Sequence, residues 1–240
     1  MKRIRLDKLL ADYGFGSRKE VKSVIKAGSV SVNGEIIKDA SFTAEPGTDR
    51  VLVDGQLLHY REFYYIMMNK PAGVISATDD TRETTVLDIL PDRYSVKGLF
   101  PVGRLDKDTE GLLLISNDGQ LAHRLLSPKK HVPKVYYAEI DGRVGQDDVE
   151  AFKQGIQLDD FTALPSRLVI LEQGSMSRVE VTIYEGKYHQ IKRMFEAVNK
   201  RVAYLKRLSM GSLRLDPSLS PGEVRELTDD EIEQLRSLQQ

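Results

Sequence analysis

The segment Gly103-Arg104-Leu105-Asp106-Lys107-Asp108-Thr109-Glu110-Gly111 sets three carboxylates, at 106, 108 and 110, in a short polar turn bounded by glycines. Arg104 lies two positions before Asp106, and the apolar run Leu112-Leu113-Leu114-Ile115 follows directly. A polar turn joined to a buried strand predicts an acid held on a rigid rim, its side chain aimed away from the core. Loops carried by rigid scaffolds are where reactive groups gather. The same spacing also describes an ordinary polar loop before a strand, so the turn alone does not define a reaction. The remaining chemistry is bounded by what is missing. There is no cysteine, so disulfides, thiolate nucleophiles and the usual zinc deaminase site are excluded. Histidines 59, 123, 131 and 189 lack metal-ligand spacing, and no phosphate-cradling GxxxxGK loop or GxSxG elbow occurs. Any catalysis must run on carboxylate, Lys, Arg, Tyr and backbone groups, with neither cofactor nor metal.

These residues need elements to position them. Residues 63–68 read as a strand ending at Asn69-Lys70-Pro71-Ala72-Gly73, where Pro71 forbids a helix and keeps Lys70 extended. Residues 85–90 predict a helical turn or more, stopped by Pro91, and Asn117-Asp118-Gly119 reads as the turn after the apolar strand. Ser127-Pro128-Lys129-Lys130 is a basic loop. In the strand 134–140, alternation puts Lys134, Tyr136 and Ala138 on one face. A surface helix over 146–155 follows, then strands at 168–171 and 178–184. From Tyr188 the spacing of Ile191, Met194, Phe195 and Val198 predicts a helix. In the tail, Thr228 and Glu231 form a capping box, with Ile232 and Leu235 inward.

The N-terminal sixty residues have a different texture. Leu6, Leu9 and Leu10 share a helical face that Gly14 ends, and Ser17 with Glu20 predicts a capped second helix with Val21, Val24 and Ile25 inward. Its other face carries Arg18, Lys19, Lys22 and Lys26. Val30 and Val32 alternate before Asn33-Gly34, and Val51 and Val53 before Asp54-Gly55, both hairpin signals. Residues 56–63 look like a linker.

With 240 residues the chain has room for one large or two smaller domains; 40% apolar and 30% charged residues suit a soluble globular protein. No apolar run approaches the roughly 20 residues that cross a bilayer, and the start lacks a signal-peptide core. The absence of cysteine fits a reducing cytoplasm. A formal net charge of −1 conceals segregation: residues 1–26 hold eight bases and three acids, 187–214 eight bases and one acid, and 216–240 two bases and seven acids. Two basic tracts and an acidic tail suggest a polyanion bound along one side.

Arg5-Leu6-Asp7-Lys8-Leu9-Leu10, Ser17-Arg18-Lys19 and Val30-Ser31-Val32-Asn33-Gly34 resemble the small αL RNA-binding domain first described in a small-subunit ribosomal protein. That resemblance implies phosphate contacts from Lys8, Arg18, Lys19, Lys22 and Lys26. RNA modification without a cofactor narrows the field to reactions internal to the nucleotide. Four further motifs follow in order: Lys70-Pro71-x-Gly73; Gly103-Arg104-Leu105-Asp106-x-Asp108-Thr109-x-Gly111-Leu112; Lys134-x-Tyr136; and Gly186-x-x-His189-Gln190-x-Lys192-Arg193-Met194-Phe195. Together they resemble the pseudouridine synthases, with wording most similar to the branch modifying small-subunit (16S) ribosomal RNA.

The resemblance implies an α+β fold, with the αL domain over 1–58 and a catalytic domain over 59–240 built on a mixed or antiparallel sheet flanked by helices. It makes Asp106 the nucleophile, with Asp108 as its rival, Tyr136 the stacking aromatic for a flipped uridine, and Arg104 the residue filling the vacated space or steadying a phosphate. It makes Lys192 the cation partnered with the carboxylate; Arg193 is the alternative partner, and a Lys192–Glu196 surface pair the competing use of Lys192. Lys70 and Arg193 join the RNA contacts, although Lys70 and Pro71 also read as braces. Glu110 departs from the small hydroxyl residue found there in many relatives. The expected partner is ribosomal RNA, naked or in a partly assembled particle, bound by a monomer without a membrane. Rival functions are a large-subunit (23S) enzyme of the same family, a non-catalytic assembly factor that binds RNA, and a glycosidase, which the basic flanks and unassigned second acid disfavour.

Overall fold

The computed structural model describes residues 3–58, 60–94 and 98–237. Lys2 of the first basic tract and His59 of the expected linker lie outside the described residues. Contacts divide the chain into two compact units, Met1–Tyr64 with Leu90–Leu99, and Tyr65–Ile89 with Phe100–Gln240.

The first unit begins with strand β1 (Ile4–Arg5) and helix α1 (Leu6–Asp12), which buries Leu6, Leu9 and Leu10. Helix α2 (Arg18–Lys26) opens with the expected box: Glu20 N–H donates to Ser17 Oγ, and Ser17 N–H to Glu20 Oε2 at 2.7 Å. Strands β2 (Val30–Val32), β3 (Glu35–Ile36), β4 (Thr43–Ala44), β5 (Val51–Val53) and β6 (Gln56–Leu57) follow. Asn33 and Gly34 both take positive φ, 53° and 90°, as a tight hairpin turn demands. Asp54 and Gly55 do the same, so Gln56 and Leu57, expected in a linker, instead pair with β5. Val21, Ile25, Val30, Val32, Val51 and Val53 close one core over the three leucines.

The second unit is built on a nine-stranded mixed sheet. Its elements in chain order are β7 (Tyr65–Lys70), β8 (Phe100–Val102), β9 (Glu110–Ser116), α3 (Gly119–Leu126), β10 (Lys134–Asp141), α4 (Gln146–Gln154), β11 (Arg167–Glu172), β12 (Met176–Ile183), α5 (Gln190–Ala197), β13 (Arg201–Met210), β14 (Leu213–Arg214), β15 (Val224–Glu226) and α6 (Asp229–Ser237). The order across the sheet is β11-β12-β10-β13-β9-β7-β15, with β14 on β13 and β8 on β9. The β9–β13 pair is parallel and the others antiparallel. Every residue of β7 is buried, as are six of the seven in β9, which explains the apolar runs 65–68 and 112–115.

Three local expectations change. Residues 85–90 form a turn and no α-helix, because Asp88 Oδ2 accepts from both the Thr85 N–H and hydroxyl and closes the segment locally. Asn117-Asp118-Gly119 starts α3 and does not turn a hairpin: Asp118 Oδ1 accepts the Gln120 and Leu121 N–H groups. The helix expected from Tyr188 begins at Gln190, since His189 is left-handed at φ 48°.

Candidate active site

The Asp106 turn is fastened from below. Lys70, at the end of β7, is fully buried, and its ammonium donates to the carbonyls of Pro71 (2.9 Å), Thr109 (2.9 Å) and Lys107 (3.3 Å). On the other side Ser76 Oγ donates to Leu105 O and accepts from Leu105 N–H. Burial lowers the Lys70 pKa to about 8, against the pull of Asp108, Asp106 and Glu110. This overturns Lys70 as an RNA contact: a side chain with no exposed surface and three carbonyl partners is a brace.

Two glycines make the turn possible. Gly103 has φ 82°, and Gly111 has φ 101° where a Cβ would lie 2.3 Å from the Arg207 carbonyl oxygen. That close approach belongs to the parallel β9–β13 pair, Arg207 opposite Gly111. Tyr136 stands opposite Arg207 on β10, and Lys70 opposite Gly111 on β7. Tyr136, Arg207, Gly111 and Lys70 therefore form one row across four strands. Glu110, the departure from the family pattern, accepts the Tyr204 hydroxyl at 2.6 Å and ties the same two strands together.

Above the turn, Asp106 faces α5. Lys192 Nζ lies 3.4 Å from Asp106 Oδ2, and His189 Nε2 lies 3.6 Å from Oδ1. Lys192 binds Asp108 more tightly, with both carboxylate oxygens at 2.6 and 2.8 Å. Burial opposes the Asp108 charge, but the Lys192 hydrogen bonds and charge prevail and hold its pKa below the usual range. Lys192 thus reaches across to both acids and does not lie along its helix toward Glu196. Arg193, the alternative partner of Asp106, pairs with Asp160 and lies over the Phe161 ring. Its guanidinium is held by Asp160 and does not partner Asp106.

Asp106, Arg104, Tyr136 and Lys192 all line one cleft, together with Thr109, Lys187 and His189. Arg104 is exposed at its rim and Tyr136 is buried in its wall. The Thr109 hydroxyl is buried beneath the cleft without a partner among the described residues. Behind the wall, Lys134 donates to Val132 O, and Arg207 Nε to Leu112 O. Burial and the neighbouring Arg207 charge lower the Lys134 pKa to about 8, against Glu185. Gln190 is also buried and fixes the entry to α5, donating to Glu185 and accepting the Lys187 N–H.

Two contributors were not assigned from sequence. His189 belongs to the fourth motif, but its left-handed backbone, with the ring 3.6 Å from Asp106, leaves no mark in composition. The sequence presents Asp108 only as a rival nucleophile, whereas in the structure it is the tighter partner of Lys192. The 187–214 tract does not form a continuous polyanion face: Lys192 and Arg193 are paired, Lys200 binds Asp148 at 2.8 Å, Lys187 lies over Phe161, and Arg207 is buried. In the first unit, by contrast, Lys8, Arg18, Lys19, Lys22 and Lys26 are all exposed. Among the described residues no group of His, Asp and Glu is arranged to hold a metal ion, and no helix is long and apolar enough to cross a membrane.

Comparison with known proteins agrees with this division. Residues 64–197 match the RNA pseudouridylate synthase family, and residues 4–51 match the S4 domain. The chain is 51% identical to a Bacillus subtilis protein named uncharacterized RNA pseudouridine synthase YtzG, over 98% of this chain and all of that one. It is 40% identical to the Escherichia coli ribosomal small subunit pseudouridine synthase A, over 95% of this chain and 98% of the relative. A crystal structure of a pseudouridylate synthase superposes with a TM-score of 0.68 at 37% identity, covering 97% of this chain and 99% of that one.

Proposed function

The chain belongs to the RNA pseudouridylate synthase family, and from that premise we propose that it isomerises one uridine of small-subunit ribosomal RNA with Asp106 as the nucleophile. One observation carries the reading: Asp106 stands in a cleft between the Lys192 ammonium at 3.4 Å and the wall that holds Tyr136. The relative from Escherichia coli, similar over nearly its whole length, supports the small subunit as the source of the substrate.

The reaction breaks the N1–C1′ bond of the uridine, turns the base and forms a C5–C1′ bond. The C5 proton leaves to solvent and N1 takes one up, so no oxidant or second substrate is consumed. Addition of the carboxylate at C1′, its addition at C6, and abstraction of a sugar proton all begin with the acid facing the nucleoside. A uridine in folded RNA must leave its stack first, and Tyr136 offers the aromatic face it then needs. Arg104 at the rim suits the space the base vacates or the adjacent phosphate. Lys192, shared between Asp108 and Asp106, supplies the counter-charge as the carboxylate changes partners. The exposed cations of the S4 domain supply affinity and register through phosphates, with little sequence reading. The reading includes a monomer acting in the cytoplasm on ribosomal RNA, free or in an assembling particle.

Asp106→Asn should abolish release of the uracil C5 hydrogen while RNA affinity stays within about twofold, since phosphate contacts carry it. Normal turnover by that variant would overturn the assignment. Mapping pseudouridine in cells lacking the gene should show one position lost from small-subunit RNA; a loss from large-subunit RNA would move the target.

A further inference from the structure

We infer that Tyr188, stacked on His189 at the mouth of the cleft, is a platform for a nucleobase next to the target uridine in the RNA chain. This rests on the proposed function, because it extends the same site by one nucleotide. Tyr188 is the most exposed large apolar side chain among the described residues, at 75%. Its ring lies 3.9 Å from the His189 ring at an interplanar angle of 15°, so one face is covered and the other is open to solvent. The left-handed backbone of His189 and the buried Gln190 beside it fix the pair in place. His189 in turn lies 3.6 Å from Asp106, so an aromatic stack runs outward from the reacting acid.

The surroundings suit a nucleotide. A groove continuous with the cleft runs between Ser76, Asp80, Arg104, Lys107, Lys187 and the Tyr188–His189 pair. Lys107 pairs with Glu83 and Lys187 lies over Phe161, which leaves Arg104 as the cation facing the backbone of an entering strand. An open aromatic face beside a cation is how proteins hold unstacked bases, and stacking tolerates any base because each has a π face. Extruding the uridine breaks its stack with a neighbour, and Tyr188 replaces the partner that the neighbour loses.

The test uses the full-length protein and ribosomal RNA fragments centred on its target uridine, intact or with an abasic nucleotide on the 5′ or 3′ side. Tyr188→Ala should raise KM about tenfold with a smaller change in kcat, as loss of a stacked base does, and Tyr188→Phe should restore it. An abasic neighbour on one side should cost the wild type a similar factor and cost Tyr188→Ala almost nothing further. Unchanged KM in Tyr188→Ala, or abasic and Tyr188 effects that multiply independently, would overturn the platform while leaving the isomerase reading intact. No hydrogen release by the wild type from any ribosomal RNA would overturn both.

Discussion

The two units use the same side chains in opposite ways. In the S4 domain the cations Lys8, Arg18, Lys19, Lys22 and Lys26 stand in solvent, while in the catalytic unit Lys70, Lys134 and Arg207 are buried and Lys192, Arg193 and Lys200 are paired with acids. A solvated cation costs the fold little and attracts phosphate at a distance. A buried one must be surrounded by acceptors and then holds them rigidly. Charge density in a sequence therefore does not distinguish a binding face from a scaffold.

The sharpest way to break the contrast is at Gly111, which the buried Lys70 and Arg207 flank on the neighbouring strands. Gly111→Ala should lower stability on the order of 3 kcal/mol or more, because the new Cβ meets the Arg207 carbonyl at a φ unsuited to alanine. Denaturant unfolding would check it. Next comes Lys70→Met, which keeps much of the volume but strips three carbonyls of their donor. A loss of about 2–3 kcal/mol is expected in the same measurement, with a fall in kcat as the Asp106 turn loosens. The matching change in the other unit is Lys19, Lys22 and Lys26 together to Ala. Stability should move by less than about 0.5 kcal/mol, while the slope of log affinity against log salt should shrink by about two. Equal effects of the two sets on stability would erase the contrast.

A last test concerns an ion pair inside the S4 domain. Asp7 accepts both Nε and an Nη of Arg5 at 3.1 and 3.0 Å, and these bonds hold its pKa below the ordinary value. A carboxyl depressed in the fold stabilises above its unfolded pKa of about 3.9 and loses that contribution as pH falls toward the folded value. Asp7→Asn should cost at most about 1 kcal/mol at neutral pH, since Arg5 is half exposed. The gap between variant and wild-type melting curves should close below about pH 4.

Local chemistry was the legible part. The Ser17–Glu20 box, the Asn33-Gly34 and Asp54-Gly55 turns and the alternation over 134–140 each rest on neighbours in sequence, and the structure keeps them. The grouping of Asp106, Tyr136, Arg104 and Lys192 in one cleft is what the family resemblance implies, and the fold brings the four together. Long-range burial was the illegible part. Arg201, Lys206 and Arg207 break the apolar pattern of β13, and nothing in the sequence signals that Arg207 is buried with its Nε donating to the Leu112 carbonyl on another strand. Lys70 reads as an RNA contact for the same reason: two of its three acceptors, Lys107 O and Thr109 O, lie nearly forty positions away.

The row Tyr136–Arg207–Gly111–Lys70 works as a gauge. Neighbouring strands sit about 4.8 Å apart, so backbone pairing alone fixes how far the wall bearing the aromatic stands from the turn bearing the acid. A slip by one residue would send each side chain to the opposite face. Such a device has no half-open setting. On heating, this protein should keep its activity up to the temperature at which the sheet itself comes apart, and then lose it in a single step.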